Sequence, residues 1–171
     1  MLIGHLPAGY LASTVALDRL GFAPSVRRRL LAAGLIASVA PDLDLLYFYG
    51  VDRSLHHHAF PTHWPITWLA VAVLGGFAAV VTGRRAWAWM GVFVGVGGLL
   101  HLVLDSIAGE VRWFAPASDW SLTLVTVPSR FDSWILSFVT HWTFAVEVAL
   151  VVLGAAVWWR RRTVGETFRA R

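Results

Sequence analysis

The chain has 171 residues, about one domain, of which 57% are apolar and 14% charged. Its mean hydropathy is +0.64, which excludes an ordinary soluble domain and points to a membrane protein with several spans. The 14 basic residues are all arginine and outnumber the 10 acidic ones, for a net charge of +4. They fall at helix ends rather than along one stripe, so no nucleic-acid partner is expected. There is no cysteine, which excludes disulfides, thiolate zinc sites and thiol nucleophiles.

The first helix is predicted over residues 2–20, with Gly4-His5-Leu6-Pro7 at its start and Gly21 as its stop. The segment lacks a cationic n-region and carries His5, Pro7 and Asp18, so it is expected to belong to the mature protein. A second helix opens at Pro24, passes Arg27-Arg28-Arg29 and runs to Ala40. Its apolar part spans only ~16 Å at ~1.5 Å per residue, short of a full bilayer. Pro41 ends it, and Asp42 or Asp44 can cap a short helical piece over 45–49. Residues 50–61 read as a polar loop. The third and fourth helices, over 62–82 and 86–107, are each apolar and long enough to cross a membrane. Gly91 and Gly95 have the small-xxx-small spacing that lets two helix backbones approach closely. Residues 108–130 form a loop rich in proline, serine and aromatics, and a fifth helix is predicted over 132–159.

The expected fold is therefore all-α, a multi-pass transmembrane bundle of about five helices with a metal site at one end. It forms one membrane-embedded domain over 1–171, with the bundle in 1–162 and a polar cytoplasmic tail in 163–171. Arg19, Arg27 to Arg29, Arg84, Arg85, Arg160 to Arg162, Arg169 and Arg171 gather at one end, leaving Arg53, Arg112 and Arg130 at the other. The positive-inside rule makes the first end cytoplasmic, with the N-terminus outside. The expected location is the cytoplasmic membrane, with the histidines and aspartates on the extracytoplasmic side. Trp64, Trp68, Trp113, Trp120 and Trp134 then belong to the outer aromatic belt, and Trp87, Trp89, Trp158 and Trp159 to the inner one.

Polar clusters in this apolar chain carry its chemistry. His56, His57, His58 and His63 put four imidazoles ahead of the third helix, Asp42 and Asp44 precede them, and His101 and Asp105 follow. His101 and Asp105, four apart, lie on one side of a helix. Imidazole nitrogen with carboxylate oxygen is the donor set of a divalent metal, and ionisable groups at membrane depth are costly enough to mark function. The candidate ligands are His5, Asp42, His58, His63, His101 and Asp105. They are too many for one tetrahedral zinc, so one or two ions are expected, or some residues support the ligands. Asp44 is the candidate general base or orienting group. His56 and His57 read as solvated loop residues, His141 as a further ligand or support, and Glu147 as a buried contact between helices. Arg53, Arg112 and Arg130 are candidates for binding an anionic substrate.

The segments Gly4-His5-Leu6, Pro41-Asp42-Leu43-Asp44, His58-Ala59-Phe60-Pro61-Thr62-His63 and His101-Leu102-Val103-Leu104-Asp105 resemble the motifs of the YdjM-like family of membrane-bound metal-dependent hydrolases. The resemblance covers roughly residues 1–128. The family's middle motif usually reads His-Arg-x-x-Thr-His-Ser, where this chain has Ala59 for the arginine and Trp64 for the serine. More remotely, the order of the histidines and aspartates is similar to that of the zinc-dependent phospholipase C and single-strand nuclease group. The resemblance implies a hydrolase in which a divalent metal, zinc by its donors, activates water against an ester, a phosphoester above all. Membrane lipids and a small-molecule or lipid phosphoester are the expected partners. The alternative is a non-enzymatic membrane protein that binds haem, for instance through His101 and His141, or carries ions or protons.

Overall fold

Proline and glycine set most of the helix boundaries seen in the computed structural model, which describes residues 3–54 and 56–169, with side chains as far as residue 163. Seven α-helices lie in the described residues: α1 (His5–Leu20), α2 (Pro24–Ala37), α3 (Asp44–Gly50), α4 (Pro65–Thr82), α5 (Arg85–Asp105), α6 (Trp134–Val139) and α7 (Phe144–Arg169). Pro24 and Pro65 occupy the first positions of α2 and α4, where the missing N–H costs nothing. Gly21 and Gly83 end α1 and α4 in the left-handed conformation, at φ 64° and 66°. Short 3-10 turns at Ala40–Leu43, His57–Ala59 and Pro61–His63 fill the connections around α3. Extended pairing among the described residues is one antiparallel bridge, Val111 with Leu122, in the long loop before α6.

α4 and α5 are long and apolar enough to cross a membrane, and α2 with the 40–50 piece makes a third candidate if that pair, bent by 54°, is a single span. α5 is the inner helix of the group: 44% of its apolar window is buried against 11% for α4. It packs against α1, α2 and α4, while α7 packs on α1. The small-xxx-small pair lies at the close contact of α4 and α5. A Cβ on Gly91 would lie 2.8 Å from the Gly75 Cα, and one on Gly95 would lie 2.7 Å from the Trp68 carbonyl oxygen. Any larger side chain would therefore push α4 and α5 apart.

Where about five helices are expected there are seven in the described residues; α2 ends three residues before the expected Ala40, α4 starts three residues after 62, and the last helix and the tail differ most. The predicted helix over 132–159 is two helices, α6 and α7, broken at 140–143. Ser137 and Thr140 donate from their hydroxyls to the Ser133 and Leu136 carbonyls, at 3.2 and 2.7 Å, and the His141 ring pairs with the Thr143 hydroxyl at 3.0 Å. Such local side-chain bonds compete with a regular helix ladder. The tail from 163 continues α7 as far as Arg169; its last two residues, like Leu2 at the predicted start of the first helix, lie outside the described residues.

At the arginine-rich end, Asp18 near the end of α1 binds Arg27 of α2 at 2.7 Å and also Arg161 of α7. The start of α1 is held by α7 as well. Buried Glu147 accepts backbone N–H groups from Ile3 and, at 3.0 Å, from Gly4. These are donors that a helix start leaves without a partner, and the Gly4 cap has no side chain to satisfy them.

Candidate metal centre

Helix ends and the broken chain around α3 bring seven of the expected residues together. His5 opens α1, Asp42 sits in the 3-10 turn after α2, Asp44 opens α3, His58 and His63 lie in the two 3-10 turns before α4, and His101 and Asp105 occupy the end of α5. Pro41 makes this possible: it cannot donate a backbone hydrogen bond, so α2 stops short and the chain turns across the top of α5.

Asp105 is the centre of the group. Its Oδ1 lies 3.1 Å from His5 Nε2, and its Oδ2 lies 3.0 Å from His101 Nε2 and 3.5 Å from both His58 Nε2 and His63 Nε2. Asp42 Oδ1 approaches His101 Nε2 at 3.6 Å. These separations match the roughly 3.4 Å between ligand atoms of a tetrahedral ion with bonds of ~2.1 Å. Ligand atoms from Asp42, His63, His101 and Asp105 all lie within 4.8 Å of one another.

The other edge of each imidazole decides what the cluster is for. His101 Nδ1 lies 2.9 Å from the Ser38 carbonyl oxygen and His58 Nδ1 lies 3.0 Å from the Glu110 carbonyl oxygen. A carbonyl oxygen only accepts, so both Nδ1 atoms carry the proton and donate it. His63 Nδ1–H donates in the same way to Asp44 Oδ2 at 2.8 Å. In the neutral tautomer that results, each Nε2 presents a bare lone pair toward Asp105. His63 Nε2 and His101 Nε2 are buried and face Asp105 Oδ2 at 3.5 and 3.0 Å. Several buried lone pairs facing a carboxylate repel it unless a metal ion or a proton lies among them, and an imidazole oriented through its second nitrogen is the usual arrangement of a metal ligand. The cluster could therefore hold a metal ion. Burial pushes the His58 imidazole down to about 3, in keeping with a neutral ring. Burial acts the same way on His63, but bonds to Asp105 and Asp44 outweigh it and raise this ring to about 9. Without a cation, His63 thus holds a proton between two carboxylates.

Asp44 orients His63 and, with His57 and His63, forms a second group that could hold a metal ion. Its Oδ2 also accepts from the Thr62 hydroxyl at 2.6 Å, and its Oδ1 lies 3.6 Å from His57 Nδ1. Of the two roles expected for it, orienting a histidine is the one its contacts describe. His57 is closer to the cluster than a solvated loop residue would be, whereas exposed His56 accepts from the His58 N–H at 3.3 Å. His5 differs from the other three. Its ring is buried and stacks on His101 with centroids 3.6 Å apart, but its Nδ1 has no hydrogen-bond partner, so no acceptor fixes its tautomer.

Several contributors carry no signal in the sequence. Gly109 makes room for His58, since a Cβ there would lie 2.7 Å from His58 Cε1. Trp68 lies flat on Gly98 and donates from its indole N–H to the Thr62 carbonyl at 2.8 Å, which fixes the turn that carries His63. The Ser38 and Glu110 carbonyls are backbone groups, identical in every residue. Other expected residues lie elsewhere. His141 is occupied with Thr143 at the α6–α7 break and belongs to none of the metal-capable groups among the described residues. Arg112 pairs with Asp119 at 2.9 Å, Arg53 lies over the Tyr49 ring at 5.3 Å, and Arg130 is exposed.

The family model described as YdjM inner membrane protein matches residues 1–166, nearly the whole chain. No curated protein matches, and no solved structure matches.

Proposed function

The chain belongs to the YdjM inner membrane protein family, and on that premise we propose that it is a membrane-embedded, metal-dependent hydrolase acting on an ester, with a phosphoester as its substrate. One observation carries the reading: three imidazoles donate from Nδ1 to fixed acceptors and turn Nε2 toward the buried carboxylate of Asp105. A divalent metal held there would activate water and offset the charge developing on the attacked ester.

The residues take distinct parts in this reading. His58, His63, His101 and Asp105 hold the ion. Asp44, itself held by Thr62, keeps His63 in its ligating tautomer. Asp42, with 28% of its side chain exposed, stands at the accessible edge of the cluster, where it completes the ligand set or receives a proton. Zinc suits the imidazole and carboxylate donors, and the extra groups around Asp44 leave room for a second ion. By the positive-inside rule, the arginine-rich helix ends support a cytoplasmic side for that end of the bundle, with the site on the opposite side. Haem is less well supported, because His101 Nε2 already faces Asp105 at 3.0 Å and His141 is engaged by Thr143.

Metal analysis of the purified full-length protein, followed by a phosphoesterase screen with zinc, manganese and magnesium, tests the proposal. Stoichiometric metal and a metal-dependent rate that Asp105→Asn abolishes are expected. A protein that holds no metal and gains none on titration refutes it.

A further inference from the structure

α1 and α5 leave an open furrow between them, about 470 Å³ when the open space at its mouth is included. Its α1 side is Gly9, Ala12, Ser13, Ala16 and Leu20, and its α5 side includes Trp89, Phe93, Val96 and Leu100. The small α1 side chains create the gap, and both helices are held close to α2 from behind. A Cβ on Gly9 would lie 2.3 Å from Ser38 Oγ, and one on Gly97 would lie 2.8 Å from the Gly34 carbonyl oxygen. The lining is apolar except for Ser13, whose hydroxyl turns toward Gly34 of α2.

The position of the furrow is what points to an occupant. Its upper end is one helical turn from the metal cluster: Gly9 follows His5 by four residues and Gly97 precedes His101 by four, beneath their stacked rings. From Gly9 to Leu20 it runs ~17 Å down the bundle at ~1.5 Å per residue. Along its side, Leu20 of α1 and Val92 and Val96 of α5 are 44%, 40% and 54% exposed, and α5 is long and apolar enough to cross a membrane. In a membrane-embedded bundle its apolar side would face hydrocarbon, and it meets the polar cluster at one end only.

We infer that this furrow holds the hydrocarbon tail of the substrate, which is a lipid phosphoester whose headgroup lies at the Asp42, His101 and Asp105 end. The inference rests on the hydrolase reading and names its substrate class. A tail threaded here sets the headgroup at the cluster, so tail burial serves to position the reacting ester. A straight acyl chain and a branched isoprenyl chain share the required chemistry.

The test uses the full-length protein in phosphatidylcholine vesicles containing a phosphatidic acid with a diazirine in one acyl chain, and in a parallel arm a diazirine-bearing polyprenyl phosphate. After photolysis, adducts are expected to concentrate on the furrow residues of α1 and α5 in at least one arm, and the productive arm identifies the tail. Ala12→Phe, which fills the furrow away from the metal cluster, should remove those adducts while leaving metal content and adducts around the 82% exposed Val80 of α4 unchanged. Ala16→Leu is a milder filling should Ala12→Phe fail to fold. With activity as readout, the filled variants should hydrolyse the lipid about tenfold more slowly or worse, with p-nitrophenyl phosphate hydrolysis unaltered. Adducts spread evenly over all lipid-facing helices in both arms, unchanged by filling, describe only surrounding lipid and overturn the inference. If the wild type hydrolyses neither substrate, the hydrolase reading fails, and the adduct pattern still decides whether the furrow binds a lipid tail.

Discussion

Replacing Asp44 by asparagine probes the assignment of this carboxylate as the group that orients His63. Asparagine keeps the size of the side chain and, through its carbonyl oxygen, an acceptor for His63 Nδ1–H, but it removes the charge from a 2.8 Å bond. Loss of such a supporting acceptor typically weakens metal binding about 10- to 100-fold, which is ~1.4 to ~2.8 kcal/mol. Protons complicate the comparison in a calculable direction. In the metal-free protein His63 is raised to about 9, partly by Asp44, so at pH 7 a metal must first displace its proton. Asp44→Asn lowers that proton affinity, which partly offsets the lost orientation at pH 7, and the deficit should open to its full size near pH 9. The assay is zinc competition against a chromophoric chelator in detergent, from pH 6.5 to 9.5, with melting temperature as a control. An affinity within twofold of wild type across that range would refute the orienting role of Asp44.

Four further outcomes are expected. Asp105→Asn and His63→Ala should each abolish stoichiometric metal binding without unfolding the bundle, by metal analysis and circular dichroism, whereas His56→Ala should leave it intact. Gly109→Ala places a Cβ 2.7 Å from His58 Cε1, so metal occupancy should fall, with overpacking costing about 1–3 kcal/mol in a chemical unfolding titration. The raised His63 value gives the metal-free protein stability that is complete below about 6.5, the unfolded value, and lost as pH rises through about 9. Thermal melts of metal-free and metal-loaded protein should therefore diverge with rising pH, because a bound ion takes the place of the proton. Single cysteines at Ser118 and Thr163 should react with an impermeant reagent in intact cells at Ser118 only; labelling at Thr163 alone would reverse the proposed orientation.

The chain's composition and the positions of its few polar residues were enough to indicate a helical membrane protein with a histidine and aspartate cluster at one end. In so apolar a sequence each ionisable residue needs a reason, and His58, His63, His101 and Asp105 could be grouped because helix periodicity and the arginine ends set their depth. The Gly91 and Gly95 spacing likewise pointed to a close helix contact, and the structure supplies its partner in α4. Local pattern could not say which histidine is held by which acceptor. That depends on the Ser38 and Glu110 carbonyls, which lie 63 and 52 residues away from the rings they bind. Nor could it show that Glu147 caps α1 from 143 residues away, or that Gly109 is small because His58 needs the space. The partners of the arginines were hidden for the same reason: charge alone suggested anion binding, and only packing shows that Arg112 pairs with Asp119 and Arg53 lies over the Tyr49 ring. Residue type determines what a side chain can do, whereas the tautomer of a histidine and the partner of a charge depend on which distant backbone and side-chain groups packing brings within about 3 Å.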